Sequence, residues 1–560
     1  MITRALHDAE VIVRKSTATV LHEIAELVFD QRAVPWLILM CERAMTDPEP
    51  QLRSAAMTLT WHLAEHLPNA FLGDASQGSR FLRRLPHRSD PVFADVYLLQ
   101  CKLLPVATRL AEDRAPSVRL AVAAQCDRLC NALGDHWSSV IIDVLLALLT
   151  DSDERVRCEA VLCVPRLSEI VLMSSTSGNA PVSDVSVLEA LLPASLMLQK
   201  DKVSAVRVAL ATSAGELLTL LVGLQSLETP PSGESKAEGA PGSGQLKKHV
   251  DDVLIPLVQS LLHDKDPEVT SSALRAVTNA SRGTVREIRS RHMSMTSEDD
   301  GSVSSHLSRN SKDRKDPVFL PVLSESQVKR LLPTLSELGN SKQWRVRQSA
   351  VEIVPALLGC TRNFETRKEI SQLCIGLMED SVDAVRRTAA ECLCLGGSTL
   401  GSHGESVGAE WITSIVIPHI RKCAMHSNSK QRLLSLKMIE VILLNGACPV
   451  KWIGEDEQDK RLSDSPMREL AVISLSLAND KVPNVRLNVG RVLESAIHVF
   501  EEDALSFIKE VLHQQLVTEK DRSGGGDRDV LFFASRCIRK IGVILEEVPF
   551  PNPTDELIPI

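Results

Sequence analysis

The stretch Asn479–Leu493, NDKVPNVRLNVGRVL, joins a short polar turn to an apolar run with helical spacing. Asp480 stands in the turn, Arg486 follows six residues later, and the apolar Val485 directly precedes the arginine. An aspartate before a helix can accept hydrogen bonds from the free N–H groups that open it, and its charge suits the positive helix terminus. An arginine one to two turns inside the helix can reach an aspartate or a carbonyl of a neighbouring segment.

The same six-residue interval recurs along the chain, which indicates an internal repeat. Its seven copies are Asp8/Arg14, Asp47/Arg53, Asp113/Arg119, Asp151/Arg157, Asp201/Arg207, Asp380/Arg386 and Asp480/Arg486. Degenerate copies are Asp264 with Thr270, Ser341 with Arg347, His426 with Arg432, and the apolar run after Asp529. A second marker, a proline fourteen residues before the arginine position, occurs at Pro105, Pro193, Pro256, Pro333 and Pro418. Together the markers predict about eleven repeat units.

Between the two markers the apolar residues have helical spacing, so each unit is predicted to be two helices, A and B, joined by a short turn. The proline is expected to kink helix A. Aromatic residues make up only 3% of the chain, which favours helices packed on helices. This pattern is that of HEAT repeats, so we predict an all-α fold, a HEAT-repeat α-α superhelix (solenoid). An ordinary globular helical bundle would have no reason to keep the interval.

Polar segments interrupt the predicted array, which is taken as one solenoid over residues 1–560. The expected flexible inserts are 174–184, 225–247, 283–317, 396–409 and 454–465. Most follow a helix B, whereas the A-to-B turns stay short except the last, at Glu519 to Asp529. A ridge of short turns is the natural place for a partner to dock. The hydroxyls near Arg291–Ser294 and Thr296–Asp300 resemble kinase acceptor sites, although a solvated spacer is the favoured interpretation.

The composition bounds the partners and the location of the protein. Sixty-three Lys and Arg against 72 Asp and Glu give a net charge of −9, so no global basic field draws the chain to nucleic acid. No secretory signal or apolar run of about 18 residues is evident, so we expect no membrane association. The thirteen cysteines include no C-x-x-C pair and are expected as core residues in a reducing compartment. We expect the chain in the cytoplasm, with the nucleus as a second location.

Chemistry-bearing motifs are missing from the sequence. It contains no phosphate-binding G-x-x-x-x-G-K-[ST] loop, H-E-x-x-H zinc motif or G-x-S-x-G nucleophile elbow. The glycine-rich segment Gly396–Gly404 has no lysine and follows no strand, so we interpret it as a loop between repeats. We therefore expect a protein that is not an enzyme and needs no cofactor or metal.

From about Leu254 onward, the units resemble the last part of the scaffold (A) subunit of protein phosphatase 2A, and the related regulatory subunit 1 of protein phosphatase 4. The matching segments, in the family's order, are HDKDPEVTSSALRAV, KQWRVRQSAVEIVPALLG, MEDSVDAVRRTAAECL, NDKVPNVRLNVGRVLESA and DVLFFASRCIRKIG. Upstream of Leu254 the resemblance is to the repeat type only. The long inserts at 225–247 and 283–317 are more like the phosphatase 4 regulator.

This resemblance implies a non-catalytic scaffold whose carboxyl-terminal A-to-B turns bind a Ser/Thr phosphatase catalytic subunit. A regulatory subunit or a substrate protein is a further implied partner. By position, the resemblance places the catalytic-subunit surface at Trp344, Arg345, Val382, Asp383, Asn428, Ser429, Lys481, Val482 and Asn484. Trp344 also stands out unaided as an interface anchor, or else packs between adjacent turns. The alternative function is an importin-β-like or condensin-like HEAT adaptor in transport or assembly.

Overall fold

Helices make up all regular secondary structure in the part of the chain that the structure describes. This computed structural model describes residues 5–6, 8–20, 34–66, 104–133, 138–174, 185–228, 243–282, 323–401, 405–444, 466–522 and 526–545. Packing divides the chain into an amino-terminal unit, residues 1–314, and a carboxyl-terminal unit, residues 315–560. The all-α prediction is confirmed, whereas the prediction of one solenoid over all 560 residues stays a prediction.

The helices are grouped here as consecutive pairs numbered 1 to 11, each with a first helix A and a second helix B. Pair 1 is described only by its second helix. In the amino-terminal unit the helices are α1 Val11–Thr19, α2 Val34–Met45, α3 Pro50–His66, α4 Leu104–Ala111, α5 Pro116–Ala123, α6 Cys126–Leu133, α7 Ser138–Leu149, α8 Glu154–Ser174, α9 Ser186–Met197, α10 Ser204–Glu228, α11 Ser243–Lys248, α12 Ile255–Leu262 and α13 Pro267–Arg282. Helices α5 and α6 together form the second helix of pair 3.

The carboxyl-terminal unit contains pairs 7 to 11. Its helices are α14 Glu325–Gly339, α15 Trp344–Glu352, α16 Val354–Gly359, α17 Phe364–Leu377, α18 Asp383–Gly401, α19 Glu405–Trp411, α20 Ile417–Ala424, α21 Ser429–Leu444, α22 Pro466–Ser476, α23 Pro483–Ser495, α24 Glu502–Lys520 and α25 Arg528–Ile544. Within the carboxyl-terminal unit each second helix packs on the second helix of the next pair, for example α21 on α23 and α23 on α25. The apolar faces that the sequence pattern predicts are therefore buried between successive pairs.

The turn aspartate closes the turn that precedes the second helix. Asp480 Oδ1 accepts a hydrogen bond of 2.8 Å from the backbone N–H of Val482, and Val482 is the residue that caps α23. The turns at Asp8, Asp47, Asp113, Asp151, Asp201, Asp264 and Asp380 are built in the same way. The expectation that the aspartate caps the helix itself was wrong by two residues. Proline can therefore occupy the first helical position, as Pro483 does. The N–H that proline lacks would have no partner within the helix at this position, and the fixed φ of proline suits a helix.

The repeat arginine ties two successive turns together. Arg432 donates from Nε and Nη2 to the two carboxylate oxygens of Asp480 in the next turn, at 2.6 and 2.9 Å. Its Nη1 donates to the carbonyl of His426 at the start of its own turn, at 2.9 Å. The other arginine-to-aspartate rungs, by Nε distance, are Arg14–Asp47 at 3.0 Å, Arg53–Asp113 and Arg119–Asp151 at 2.6 Å, Arg157–Asp201 and Arg207–Asp264 at 2.7 Å, and Arg347–Asp380 at 2.5 Å. The interval of six places the guanidinium between its own turn and the next.

Arg386 departs from this ladder. Its predicted place is a rung to the following turn, but that turn carries His426 at the position where most of the turns carry an aspartate. His426 Nδ1 accepts from the N–H of Asn428 at 3.0 Å and so reproduces the closed turn, yet imidazole leaves no second acceptor for the arginine. Arg386 binds Asp383 of its own helix instead, at 2.7 Å. Pairs 8 and 9 are joined here by Gln431, whose side-chain amide donates to the carbonyl of Met378 at 3.0 Å.

The last rung uses a glutamate that the repeat pattern does not reveal. Arg486 Nη2 donates to Glu519 Oε1 at 2.7 Å, and both side chains are almost fully buried. Glu519 lies in the last turn of α24, which extends to Lys520 and so shortens the predicted final turn. The same oxygen accepts from the N–H of Asp527 at 3.0 Å. Gly526 has a φ of 76°, a left-handed conformation that brings its backbone against the carbonyl of Glu519.

The prediction that residues 396–409 form a flexible insert was wrong, because most of this segment is helical. Helix α18 continues to Gly401 and α19 begins at Glu405. A Cβ on Gly396 would lie 2.6 Å from Leu358 Cδ1 and 2.9 Å from Trp411 Nε1. The glycine therefore permits close packing of helices, with Trp411 buried beneath it and donating to the carbonyl of Leu393 at 3.0 Å.

The remaining inserts are only partly described. Helix α10 runs to Glu228 and α11 begins at Ser243, so the ends of the expected insert 225–247 are helical. Ser174 ends α8, and the rest of 174–184, like 283–317 and 454–465, lies outside the described residues. The kinase-acceptor hypothesis for 283–317 therefore stays a prediction.

The prolines in the first helices of the pairs lie in different helical surroundings. Before Pro256 and before Pro418 the helix widens into a π-helical stretch, at His249–Leu254 and Ile412–Val416 respectively. A π stretch is one way to accommodate the hydrogen bond that proline cannot make. Pro193 and Pro333 lie inside continuous α-helix. Pro105 is the second residue of α4.

Removing one rung should destabilise the carboxyl-terminal unit. In Asp480→Ala, Arg432 loses its partner although its side chain is only 13% exposed, which is expected to cost about 3 kcal/mol of unfolding free energy. Urea unfolding followed by circular dichroism measures this. Arg155→Ala, which removes an exposed pair with Asp153, is the control and should leave the midpoint unchanged. Equal midpoints for both variants would contradict a structural role of the rung.

Acid should weaken several rungs together. Burial alone would raise the pKa of Asp480, but hydrogen bonds from Arg432 and the Val482 N–H hold it below its usual value. The pKa values of Asp113, Asp151, Asp201, Asp264 and Glu519 are lowered in the same way. A carboxylate whose pKa is lowered by folding stabilises the folded state at pH values above its unfolded-state pKa, which is about 3.9 for aspartate. This stabilisation is lost as the pH falls through the folded-state pKa. The urea midpoint should therefore be level above about pH 5 and fall below about pH 4; a level midpoint down to about pH 3 would contradict it.

His426→Asp should build the missing rung. The new carboxylate can keep the hydrogen bond to the Asn428 N–H and accept from Arg386, while Asp383 retains Arg387 at 2.7 Å. We expect a gain on the order of 1 kcal/mol in unfolding free energy. A double-mutant cycle with Arg386→Ala isolates the new contact. If Arg386→Ala has the same effect in the original protein and in the His426→Asp variant, no rung has formed.

Candidate protein-binding ridge

The predicted partner-binding residues lie in the A-to-B turns of the carboxyl-terminal unit or at the start of the helices that follow. We call this surface the ridge and define it as residues 340–345, 379–383, 425–430 and 480–484, the turns of pairs 7, 8, 9 and 10. Side chains are exposed at Trp344, Arg345, Asp383, Asn428, Lys481 and Asn484, and half-buried at Val382, Ser429 and Val482. Rungs join the turns of pairs 7 and 8 and of pairs 9 and 10.

Trp344 is the first residue of α15 and presents its indole on the surface. Its side chain is 38% exposed although Val346, two residues later, is buried and anchors the helix to the core. The Arg345 guanidinium lies over the ring, with Cζ 5.2 Å from the ring centroid. This cation–π contact holds both side chains on the outer side of the turn. An exposed tryptophan on a fixed turn is typical of an interface anchor.

The turn of pair 8 has a different character. Val382 is the half-buried residue whose N–H closes the turn onto Asp380 at 2.8 Å. Asp383 accepts from both Arg386 and Arg387, each at 2.7 Å. Its carboxylate is thus engaged within its own helix, a consequence of the broken rung that the sequence pattern did not indicate.

The turns of pairs 9 and 10 expose polar groups. Asn428 Oδ1 accepts from the N–H of Lys430 at 3.0 Å, which orders the start of α21 beside Ser429. Lys481 contributes its carbonyl to Arg486 at 3.3 Å and leaves its side chain in solvent. Asn484 accepts from the Asn488 amide at 2.7 Å through its backbone carbonyl and 3.1 Å through Oδ1.

Sequence reasoning missed one apolar side chain on this ridge. Met425 is 80% exposed at the end of the first helix of pair 9. It directly precedes His426, which occupies the aspartate position, so the repeat register could have revealed it. Met425 and Trp344 are thus exposed apolar groups on turns of the same unit.

Titratable groups away from the ridge include several buried cysteines. In the ranges that the structure describes, no group of three or more His, Cys, Asp or Glu could hold a metal ion. Burial raises the pKa of Cys41 to about 12 and that of Cys423 to about 11, so both thiols are protonated at neutral pH. These cysteines have the character of core residues.

Helix α10 contains a long apolar stretch. Residues Ser204–Leu224 of α10 are long and apolar enough to cross a bilayer by length and composition. Of this stretch, 72% is buried, and α10 packs against α8 and α13. Such burial is typical of a core helix.

Comparison with known proteins identifies the repeat. A HEAT-repeat family model matches residues 141–171, within helices α7 and α8. A comparison with curated protein sequences gives no match.

Solved structures of karyopherins align with most of this chain at low sequence identity. They include Kap95p in a study of its binding to RanGDP (13% identity, 98% of this chain, 63% of that chain, TM-score 0.47) and Kap121p bound to RanGTP (14%, 97%, 48%, 0.48). Yeast importin-beta is a further example (12%, 96%, 61%, 0.42). This chain therefore spans less than two thirds of their length, and at such identities the likeness concerns fold alone. With its pattern of paired helices, the chain is an all-α HEAT-repeat protein.

Proposed function

We propose that this protein is a non-catalytic scaffold that binds the catalytic subunit of a type 2A-like Ser/Thr phosphatase on its ridge. The observation that carries the proposal is Trp344, exposed on a turn within KQWRVRQSAVEIVPALLG, a segment that resembles the phosphatase scaffolds. In this proposal the scaffold acts by position: it sets where substrates lie relative to an active site on another chain. A regulatory subunit or substrate protein would bind elsewhere on the array, in the cytoplasm and in the nucleus.

The geometry of the ridge supports this role. Its turns are closed by the side chains of Ser341, Asp380, His426 and Asp480. Arginine rungs join pairs 7 and 8 and pairs 9 and 10, so the backbone that carries the exposed groups has little freedom to lose on binding. Interfaces formed by such pre-organised groups lose less conformational entropy. Trp344 is backed by Arg345 and Met425 is nearly free of the core, which gives the ridge apolar contact area.

The alternative is a HEAT adaptor in transport or assembly, of the importin-β-like or condensin-like kind. Among the similar structures, Kap95 binds RanGDP and forms a complex with Nup1, and Kap121p is bound to RanGTP. Such an adaptor would cradle cargo on the face formed by second helices. On that face of the carboxyl-terminal unit, Glu494 is bound by Arg536 at 2.7 Å and by Lys540 at 2.6 Å. This cluster leaves one positive charge in excess, whereas the ridge offers the exposed apolar side chains of Trp344 and Met425, which favour the ridge as the docking surface.

The double variant Trp344→Ala with Arg345→Ala tests the proposal. It should weaken binding of a purified type 2A-like catalytic subunit at least about 30-fold, the effect expected when a central aromatic anchor is truncated. Both side chains are exposed, so helical content measured by circular dichroism should be unchanged. Binding is measured by biolayer interferometry with the full chain immobilised.

A matched control changes the same positions in the turn of pair 4. Glu154→Ala with Arg155→Ala alters the residues three and four after the turn aspartate, as Trp344 and Arg345 lie three and four after Ser341. This control should bind like the original protein. Undiminished binding by the Trp344/Arg345 variant would remove the ridge assignment. Recovery of transport factors without a phosphatase, in a pull-down analysed by mass spectrometry, would favour the adaptor.

A further inference from the structure

The ridge carries positive side chains that no acidic group of the described chain neutralises. Lys342 and Arg345 lie in the turn of pair 7, Lys430 in that of pair 9 and Lys481 in that of pair 10. All four are exposed and none forms an ion pair with a described residue, in contrast to Arg347 and Arg432 directly beneath them. We call Lys342, Arg345, Lys430 and Lys481 the basic stripe.

The acidic side chains of the ridge are few and largely engaged. Asp383 is bound by two arginines of its own helix, so it adds no free negative charge. Glu379 is the one carboxylate of the ridge that forms no ion pair with a described residue, and the four side chains of the basic stripe outnumber it. The surface as a whole is therefore positive, on a chain whose net charge is −9.

The amino-terminal unit provides a comparison within the same repeat. At the corresponding positions of its turns the basic residues Arg114, Arg155, Lys200, Lys202 and Lys265 are outnumbered by the acidic residues Glu10, Glu49, Glu112, Asp153, Glu154, Asp266 and Glu268. Arg155 is also paired with Asp153 at 3.0 Å. A basic ridge is thus not a general property of these turns. The ridge turns of the carboxyl-terminal unit differ in charge from the turns of the amino-terminal unit.

We infer that the ridge recognises an acidic protein surface, with carboxylates set opposite the basic stripe and separate apolar groups against Trp344 and against Met425. This inference rests on the proposed function and adds the chemistry of the partner. Complementary charge would speed association and fix the register of the partner along the turns. The apolar groups supply the part of the contact that salt does not screen.

Nucleic acid fits the same surface less well. Neighbouring helices pack about 8–10 Å apart, so the stripe offers roughly one unpaired positive group for each such step. A DNA strand carries a phosphate about every 3.4 Å and binds best to denser charge interleaved with several aromatic rings. On the ridge, Trp344 is the single aromatic side chain. An acidic protein surface is therefore the occupant that we infer.

The test is a triple charge reversal, Lys342→Glu with Lys430→Glu and Lys481→Glu, which leaves Trp344 and Arg345 unchanged. Its control is Arg114→Glu with Lys202→Glu and Lys265→Glu, which makes the same change of charge on the amino-terminal turns. Binding of a purified type 2A-like catalytic subunit is measured between about 50 and 300 mM NaCl. Affinity of the original protein and the control should fall about tenfold over this range, and the ridge variant should bind about 50-fold more weakly at low salt. Circular dichroism verifies that each variant is folded.

The outcomes separate the inference from the function on which it rests. If the catalytic subunit binds all three proteins equally and without salt dependence, the proposed function stands and the acidic-surface inference is overturned. If the original protein does not bind it, the proposed function fails. A poly-glutamate peptide of about 20 residues and a single-stranded DNA of about 20 nucleotides then decide the inference. Binding of the peptide that the ridge reversal abolishes supports it, whereas preference for the DNA, or binding of neither probe, overturns it.

Discussion

The fold depends on one arrangement of hydrogen bonds around the guanidinium of the repeat arginine. Two of its nitrogens bind the aspartate of the next turn, and the third binds the carbonyl that begins its own turn, as Arg432 shows. That aspartate in turn holds the N–H that precedes the next second helix. Each rung therefore fixes the shape of one turn, the start of one helix and the spacing between two pairs. The ridge is the outer surface of these fixed turns.

Much of this could be predicted because it is local. The six-residue interval is set by one turn of chain and one arginine, so it can be counted directly in the sequence. The fold class and the apolar faces follow from the same count. Glu519 could not be predicted, because its carboxylate comes from a longer first helix at a different place in the sequence. Arg386 binds Asp383 of its own helix because the next turn, which is distant along the chain, has no acid at the repeat position.

The candidate site divides in a similar way. Exposure of Trp344 follows from its register at the first position of a helix, which the repeat makes visible. The role of Gly396 was hidden, because a glycine-rich segment indicates a loop unless one knows that Trp411 lies against it. Whether a charged side chain is paired also depends on its neighbours in three dimensions. Lys481 and Arg486 are both basic residues of the same repeat, but only the arginine is buried against a carboxylate.

Rung geometry is independent of the length of chain between its two partners. Arg119 and Asp151 are 32 residues apart, Arg53 and Asp113 are 60 apart, and both pairs close at 2.6 Å. The repeat is thus specified by contact rather than by a constant period. Segments between one second helix and the next first helix can acquire new sequence, including whole recognition elements, without changing the register of the turns. One edge of such a protein is free to diversify in evolution while the other keeps its spacing.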